Sequence, residues 1–321
     1  MSTVVIKLRP LEPLHLGVRN MGGIEGFSID EVVHTPLPST VLGVIGSILG
    51  IKIDCRCGSE KYDLCDPREL ISQLTGIELN LDTRTSEPVL WGPLIETGNG
   101  RYIPIGNRFL REEHAGEYVK AATRYYRGED VKDLGRLLIS YADAWSKVGI
   151  ELNEGAKTVN RMFKARYVSY RHNLNLTYLL RAGKKLNNGV VRLGGEGRLA
   201  MLSVTDEKIN TSRKGNYAIA LQPILIHSDK TTADIGEVVG LECVEEVYGV
   251  FDGEKFKVRV VDVGLGFSEA CKFRRPMLKA MPQGTVVKLR EDCGDVVAIG
   301  LLSTLGYGSI YRVDHRSNSI P

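Results

Sequence analysis

The alternation of apolar and polar residues predicts a chain built from many short β-strands. Residues 4–9 alternate with a period of two, which is typical of a half-buried strand. Residues 89–97 and 101–105 are strand-like on either side of Gly98-Asn99-Gly100, which predicts a β-hairpin. Further strands are predicted at residues 162–170, 190–193, 199–204, 217–226, 245–251, 255–263 and 285–290, and at the end of the segment 299–311.

Helical spacing is limited to three segments. Residues 41–50 form the first, and Ser39 and Thr40 before them are predicted to cap it and to offer an anion site at its N-terminus. Its glycines, among them Gly43 and Gly46, indicate either close packing or close approach of a ligand. Apolar positions between residues 130 and 147 predict a second helix, and a short one is predicted near residues 67–74 within the polar segment 54–86.

The order of these elements indicates an α+β fold. Residues 1–172 follow the order β-α-β-β-α-β of a ferredoxin-like or RNA-recognition-motif-like fold. A chain of 321 residues is about two domains long. We therefore expect two mixed α+β domains, each with a glycine-rich turn.

Charge is concentrated in one segment of the chain. The net charge is only +3, yet nine Lys or Arg residues and no acidic residue lie between Glu154 and Glu196. On a strand, Lys164, Arg166, Tyr170 and His172 would share one face, which suits single-stranded RNA because cations contact phosphates and rings stack on bases. The alternative is an ordinary solvated basic face.

Composition bounds the class of protein. Hydrophobic residues make up 43% of the chain and charged residues 25%, as in folded globular proteins. The N-terminus lacks the basic start and long apolar run of a signal peptide, and the most apolar stretch, residues 41–53, is too short to span a bilayer. A cytoplasmic location without membrane contact is expected.

The six cysteines form two groups in the sequence. Cys243, Cys271 and Cys293 are isolated among strand-like residues, and we interpret them as small core side chains. Cys55, Cys57 and Cys65 are close together, but no fourth ligand lies at a usual zinc spacing. A local loop, with or without a disulfide, is favoured over zinc, so no metal is predicted.

No catalytic or cofactor motif stands out. The sequence from Gly195 to Ala200 has the spacing of a dinucleotide fingerprint, but a strand follows it where a helix is required, and no P-loop is present. None of the six histidines lies in a recognisable catalytic order. Neither a catalytic residue nor a cofactor is predicted.

Five motifs carry a resemblance to a known family. They are 36–43 (PLPSTVLG), 148–153 (VGIELN), 191–198 (VRLGGEGR), 280–286 (AMPQGTV) and 306–308 (GYG), in that order. The set resembles the RAMP superfamily of CRISPR-associated proteins, and within it the subunit family that holds the crRNA in type III-B (Cmr) effector complexes. The motifs extend over nearly the whole chain, whereas the segment around Cys55 and Cys65 has no family counterpart.

The resemblance implies two tandem ferredoxin-like domains with glycine-rich loops, here residues 1–205, with a loop insertion around 54–86, and residues 206–321. It implies a non-catalytic subunit that holds the repeat-derived 5′ handle of crRNA. The large polymerase-like subunit and a backbone RAMP subunit are the implied protein partners. Together with the basic segment, it predicts RNA contacts at Ser39, Thr40, Lys157, Arg161, Lys164, Arg166, Arg192, Gly194, Gly195, Gly197, Arg198, Gly306, Tyr307 and Gly308.

Two alternatives stay open. One is a related RAMP endoribonuclease that cuts CRISPR repeat RNA without metal, which would require His15 or His34 close to a glycine loop. The other is an adaptor that contacts only protein, with the basic segment facing an acidic partner.

Overall fold

The computed structural model is a mixed α/β structure made mostly of strands. It describes residues 2–21, 29–55, 64–76, 78–80, 82–152, 159–171, 173–211, 214–230 and 232–314. The side chains of residues 19–21, 29–30, 132, 149–152 and 159–163 are also outside the description. Among the predicted site and cysteine positions, Lys157, Cys57 and His172 lie outside the described residues, as does the side chain of Arg161.

The first half contains the three α-helices of the described chain and its longest strands. Its strands and helices are β1 Ser2–Pro10, β2 Gly17–Met21, β3 Ile29–Val32, α1 Pro38–Ile48, α2 Cys65–Thr75, β4 Arg84–Thr85, β5 Leu90–Thr97, β6 Gly100–Ile105, β7 Arg108–Arg111, α3 Ala115–Tyr126, β8 Leu138–Ser140, β9 Ala142–Leu152, β10 Val159–Tyr170, β11 Asn175–Ala182, β12 Gly189–Arg192 and β13 Leu199–Thr205. Two 3₁₀ turns, Glu112–His114 and Lys132–Leu137, complete it.

The second half consists of short strands and 3₁₀ turns. The strands are β14 Tyr217–Ala220, β15 Ile224–Ile226, β16 Val244–Phe251, β17 Phe256–Lys257, β18 Val261–Gly264, β19 Phe267–Ser268, β20 Phe273–Arg274, β21 Met277–Met281, β22 Val286–Leu289, β23 Ala298–Ile299 and β24 Ile310–Val313. The 3₁₀ turns are Ile235–Glu237, Glu291–Cys293 and Ser303–Leu305. The strands predicted at 217–226 and 255–263 are each divided in two.

An eight-stranded sheet in the order β12-β13-β1-β11-β5-β6-β7-β8 organises the first half. The predicted hairpin around Gly98 is confirmed as β5 and β6. A second sheet, β2-β3-β10-β9, is built on the long antiparallel pair β9 and β10, which we call the ribbon. The second half contributes a five-stranded sheet, β17-β16-β22-β14-β24, and a three-stranded sheet, β15-β21-β18.

The apolar core crosses from one half of the chain to the other. One buried cluster contains Ile6 together with Leu265 and Tyr307, and a second contains Trp91 together with Val286. Burial of apolar surface is the main favourable term in folding, so the two halves stabilise each other. The domain boundary at residue 205 stays a prediction.

The helix predicted between residues 130 and 147 is wrong. The chain there forms the 3₁₀ turn Lys132–Leu137 and the strands β8 and β9. Pairing of β9 along β10, from Ala142 opposite Tyr170 onward, overrides the local helical spacing. The sequence prediction missed α3, in which Ala115, Tyr118 and Ala122 lie on the buried face at helical spacing.

Helix α1 begins earlier than predicted. Leu37 is the N-cap, Pro38 is the first helical residue, and no side chain caps the helix. Ser39 and Thr40 therefore lie inside the first turn, and the prediction that they cap it is wrong. Proline is favourable here because its missing N–H would have had no partner within the helix. The short helix predicted near residues 67–74 is confirmed as α2.

Disulfides correct the interpretation of the cysteines. Cys243 is bonded to Cys293, and Cys271 is bonded to Cys55 across 216 residues of sequence. Cys65 is also disulfide-bonded, so neither it nor Cys55 offers a thiolate for zinc. These bonds join loops and turns that are far apart in the sequence, which no sequence spacing reveals. Such bonds occur in oxidising compartments and in intracellular proteins of hyperthermophiles.

No described helix has both the length and the apolar character needed to cross a bilayer.

Removing the Cys55–Cys271 disulfide is expected to destabilise the fold. In the chain-entropy model a cross-link stabilises more when it closes a longer loop, with a typical contribution of about 2–4 kcal/mol. A Cys55→Ala/Cys271→Ala variant should therefore lower the free energy of unfolding by about that amount in urea titrations without reductant.

The matched control is Cys243→Ala/Cys293→Ala, whose loop spans only 50 residues. The destabilisation of this control is expected to be about 1 kcal/mol smaller. An unchanged urea midpoint for the first variant, or six titratable thiols in the denatured wild-type chain, would contradict the assignment.

Candidate nucleic-acid interface

A cleft of about 660 Å³ lies between elements from both halves of the chain. One side is formed by α1, the start of α2 and the glycine-rich turn after β12, and the other by the segment from β18 to β21. Of the predicted contacts, Ser39, Thr40, Arg192, Gly194 and Gly195 all line it. Residues far apart in sequence thus meet at one site.

Helix α1 contributes two glycines, Gly43 and Gly46, to the lining of the cleft. An added Cβ at Gly46 would come within 2.6 Å of Leu70 Cδ1, so this glycine allows close packing of α1 on α2. An added Cβ at Gly43 would meet nothing within 4 Å. Gly43 is exposed and lines the cleft, so its missing side chain leaves room for a ligand.

The N-terminus of α1 is engaged within the protein. Tyr307 donates its hydroxyl hydrogen to Ser39 Oγ at 2.9 Å, and burial raises the pKa of Tyr307 to about 12, so it stays protonated. The amide of Thr40 donates to Leu37 O at 3.0 Å. The anion site predicted at this helix end is therefore partly occupied by the protein's own groups.

The glycine-rich turn packs closely on His15. The amide of Gly195 donates to His15 O at 2.8 Å, and an added Cβ at Gly195 would lie 2.5 Å from His15 Cδ2. Gly194 has a φ of +79°, which also favours glycine. The His15 ring is held in turn because its Nδ1 lies 2.8 Å from Arg166 O. The turn's glycines are thus required by internal packing as well as by the shape of the cleft.

Behind this turn, charged groups compensate one another. Arg198 donates to Glu12 at 2.9 Å, and this hydrogen bond is the main reason that the pKa of Glu12 is lowered. Tyr167 donates to Glu196, which lowers the pKa of that carboxyl. The Arg198 guanidinium lies 4.6 Å from the centroid of the Tyr167 ring. The sequence predicts that Arg198 binds phosphate, but its contacts here stabilise the turn.

The other side of the cleft is held to α2 by a buried ion pair. Arg275 donates through Nε to Asp66 Oδ2 at 3.0 Å and through Nη1 to Leu265 O at 3.1 Å. The Asp66 side chain is only 1% exposed and that of Arg275 only 15%. Loss of one partner from such a pair typically costs about 3–5 kcal/mol. The pair therefore fixes the position of the β18–β21 segment against α2.

Two exposed cations remain available in the cleft. Arg192 lies at the end of β12 and Arg274 at the end of β20, and neither forms an ion pair with any described residue. The nearby carboxylate of Glu269 is paired with Lys272 at 3.2 Å. Phe267, 45% exposed, adds an aromatic surface. The sequence analysis missed Arg274 and Phe267. The adjacent arginines in Phe273-Arg274-Arg275 are a weak sequence signal for Arg274, and the sequence around Phe267 carries none.

The other cations of the basic segment do not form one patch. Arg171 is paired with Asp143 at 2.7 Å and Arg181 with Glu87 at 3.1 Å. Lys164 and Arg166 share one face of β10, as predicted, but do not line the cleft. The basic segment is therefore distributed over β10, β11, β12 and the loops between them.

The tyrosines of β10 and the second glycine motif are largely engaged within the protein. Tyr170 is partly buried and donates to His34 O at 2.7 Å, and Tyr167 is 3% exposed. Added Cβ atoms at Gly306 and Gly308 would lie 2.1 Å from Leu90 O and 1.7 Å from Ile299 O. These two glycines therefore permit tight backbone packing beside the cleft. Gly197, with a φ of +65°, completes the first turn.

No group of three or more potential metal ligands is found within the described ranges.

The comparisons with known proteins agree with this architecture. No model of a known protein family matches the chain. The CRISPR system CMR subunit Cmr3 of Saccharolobus solfataricus is 28% identical over 313 residues, covering 90% of this chain and 86% of that protein. The chain is therefore similar to Cmr3 over most of its length. The family resemblance inferred from the five motifs is thereby confirmed.

Solved structures show the same fold. A chain in the cryo-EM structure of the type III-B Cmr-beta bound to cognate target RNA and AMPPnP superimposes with a TM-score of 0.61 at 23% identity, covering 88% of this chain and 86% of that one. A chain in the Cmr-beta structure bound to cognate target RNA gives 0.60 at 23% identity, with coverages of 89% and 86%. The shared fold therefore extends over nearly the whole chain.

Acid is expected to destabilise the protein through His34. Burial, reinforced by the nearby charge of Arg166, lowers the pKa of His34 from its usual value of 6.5. A base with a depressed folded pKa stabilises the fold above its unfolded pKa, and this contribution is lost as pH falls through the folded value. The urea midpoint should therefore drop below about pH 6.5, and His34→Gln should reduce this drop. An equal reduction by His227→Gln, at an exposed position, would show that His34 is not responsible.

Proposed function

We propose that the chain is a non-catalytic RNA-binding subunit of a type III-B CRISPR effector complex, and that its cleft holds the 5′ handle of crRNA. The observation that carries this proposal is the pair of exposed arginines, Arg192 and Arg274, which come from different halves and line one cleft. Neither is compensated by a described carboxylate. A polyanion is the ligand that such a pair favours.

The chemistry of the cleft suits a single strand. Cations and backbone donors contact phosphates, whereas an exposed ring stacks on an unpaired base. Phe267 and the hydroxyl of Thr40 line the same space as the two arginines. Recognition of RNA in particular is supported by the similarity to chains of Cmr-beta structures that are bound to cognate target RNA.

The proposed partners are those that the family resemblance implies. They are the crRNA, the large polymerase-like subunit and a backbone RAMP subunit. The similarity to chains of the Cmr-beta structures, which are bound to cognate target RNA, supports an assembly of this kind. The proposed fold comprises two ferredoxin-like units, and the buried clusters that join the two halves give these units a shared core.

Removing the two free cations should weaken RNA binding and its salt dependence. In an Arg192→Ala/Arg274→Ala variant, affinity for a single-stranded handle RNA should fall more than tenfold at low salt. The slope of log K against log salt should decrease by roughly 0.7 for each phosphate that is no longer neutralised. Filter-binding titrations over a series of salt concentrations measure both quantities.

An Arg127→Ala/Lys255→Ala variant removes the same charge at exposed positions outside the cleft and is the matched control. A scrambled RNA of equal length tests preference for the handle. Equal affinities for the two double variants would refute the assignment of the cleft.

Filling the cleft should block RNA without disturbing the fold. Gly43→Leu places a side chain where nothing lies within 4 Å, and leucine is favoured over glycine in a helix by roughly 0.5–1 kcal/mol. The melting temperature should stay the same or rise, while RNA affinity falls by about tenfold, equivalent to ~1.4 kcal/mol. Gly116→Leu in α3, also in open space but outside the cleft, should leave binding unchanged.

One observation favours the endoribonuclease alternative. His15 lines the cleft and lies against Gly195, which is the proximity of histidine and glycine loop that such an enzyme would require. Samples from the binding titrations, separated on a denaturing gel without metal, distinguish the two functions. Intact RNA supports the non-catalytic subunit, whereas cleavage that His15→Ala abolishes would replace it.

A further inference from the structure

The ribbon carries an exposed tryptophan that lies on a buried aromatic side chain. Trp145, on β9, is 43% exposed and is directly opposite Tyr167 on β10. The two ring centroids are 5.0 Å apart with an interplanar angle of 27°, which is a stacked pair. The helical spacing between residues 130 and 147 places Trp145 on a helix, so its pairing with Tyr167 is evident only from the fold.

The indole is held in one orientation. Its Nε1–H donates to Ser169 Oγ at 2.7 Å, and the Tyr167 ring beneath it is fixed by the contacts to Glu196 and Arg198. A ring that is already ordered loses little conformational entropy when a ligand stacks on it. Trp145 thus has the properties of a preorganised binding surface.

The charges around Trp145 favour an anionic ligand. Lys147 lies two residues along the same strand, on the same face and opposite the small Ala165, and forms no ion pair with any described residue. On the other side, the carboxylate of Asp143 is neutralised by Arg171 through contacts of 2.7 and 2.8 Å. An exposed aromatic surface beside a free cation is the combination that binds single-stranded nucleic acid.

The tryptophan is close to the cleft. The Tyr167 ring lies 5.7 Å from the His15 ring, and His15 lines the cleft. One ring, that of Tyr167, therefore lies between Trp145 and His15 in the cleft wall. A strand that leaves the cleft past His15 would next meet the ribbon.

We propose that Trp145 is a stacking platform for one unpaired base of the RNA strand as it leaves the cleft, and that Lys147 contacts an adjoining phosphate. This site rests on the proposed RNA-binding function and extends it to a second surface. Because every base has a π-face, the platform would be tolerant of sequence. Its role is to direct the strand along the ribbon rather than to read a base.

Intrinsic fluorescence tests the platform directly. The chain has two tryptophans, and Trp91 is 3% exposed with its Nε1 bonded to Ile310 O. Single-stranded RNA should quench the emission of Trp145 in the wild-type chain. An abasic oligonucleotide of equal length should bind through its phosphates without quenching. A Trp145→Phe variant, which retains only Trp91, should show no quenching with either ligand.

Affinity measurements complete the test. Trp145→Ala should weaken binding of single-stranded RNA by roughly tenfold and leave binding of the abasic strand unchanged. Trp145→Phe should retain most of the affinity, and Lys147→Ala should reduce the salt slope by roughly 0.7. Thermal melting checks that each variant is folded. The quenching experiment on the wild-type chain tests the platform even if a variant does not fold.

The outcomes separate this inference from the proposed function. If Arg192→Ala/Arg274→Ala abolishes binding while Trp145→Ala binds as wild type and no quenching occurs, the cleft assignment stands and the platform is refuted. If the full chain binds no RNA, both are refuted. If Trp145 emission responds to a protein subunit of the complex but not to RNA, the ribbon is a protein interface and the platform is wrong.

Discussion

The ion pair between Asp66 and Arg275 is the constraint on which the cleft depends. Both side chains are largely removed from water. A buried charge without a partner is strongly unfavourable, so each of the two groups needs the other. Arg275 also donates to Leu265 O, which joins the ion pair to the residue that follows β18. The geometry of the exposed Arg274, its neighbour in sequence, follows from this anchor. A buried, compensated arginine thus positions a solvent-facing one.

Polar contacts just before α1 also hold the two halves of the chain together. Pro36 O accepts hydrogen bonds from Tyr178 at 3.2 Å and from Gln222 at 3.0 Å, and Gln283 donates to Thr35 at 2.8 Å. Buried donors without partners are costly, so these side chains fix the path of the chain into the helix. The motif 36–43 therefore combines two tasks, since it joins the halves and forms a wall of the cleft.

Local chemistry predicted part of this structure and long-range pairing decided the rest. The hairpin at Gly98 was predictable because its turn residues specify it, and motif reasoning found Ser39, Arg192 and Gly195, which do meet in the cleft. The spacing of apolar residues around Trp145 predicts a helix. The strand forms instead because Trp145 pairs with Tyr167, 22 positions away, and a local pattern cannot show such a partner. Arg198 resembled a phosphate ligand, and only the fold shows its carboxylate partner, Glu12. Arg274 became recognisable once distant strands were placed together.

The disulfide between Cys55 and Cys271 has a mechanical consequence for the cleft. Both cysteines lie close in sequence to cleft-lining residues, Ile53 on one side and Ala270 on the other, so the bond links the two walls covalently. A covalent bond between the walls limits how far they can move apart beside Ile53 and Ala270. The cleft is therefore restrained at this end independently of any ligand, and a reducing agent, which would break the bond, would remove that restraint.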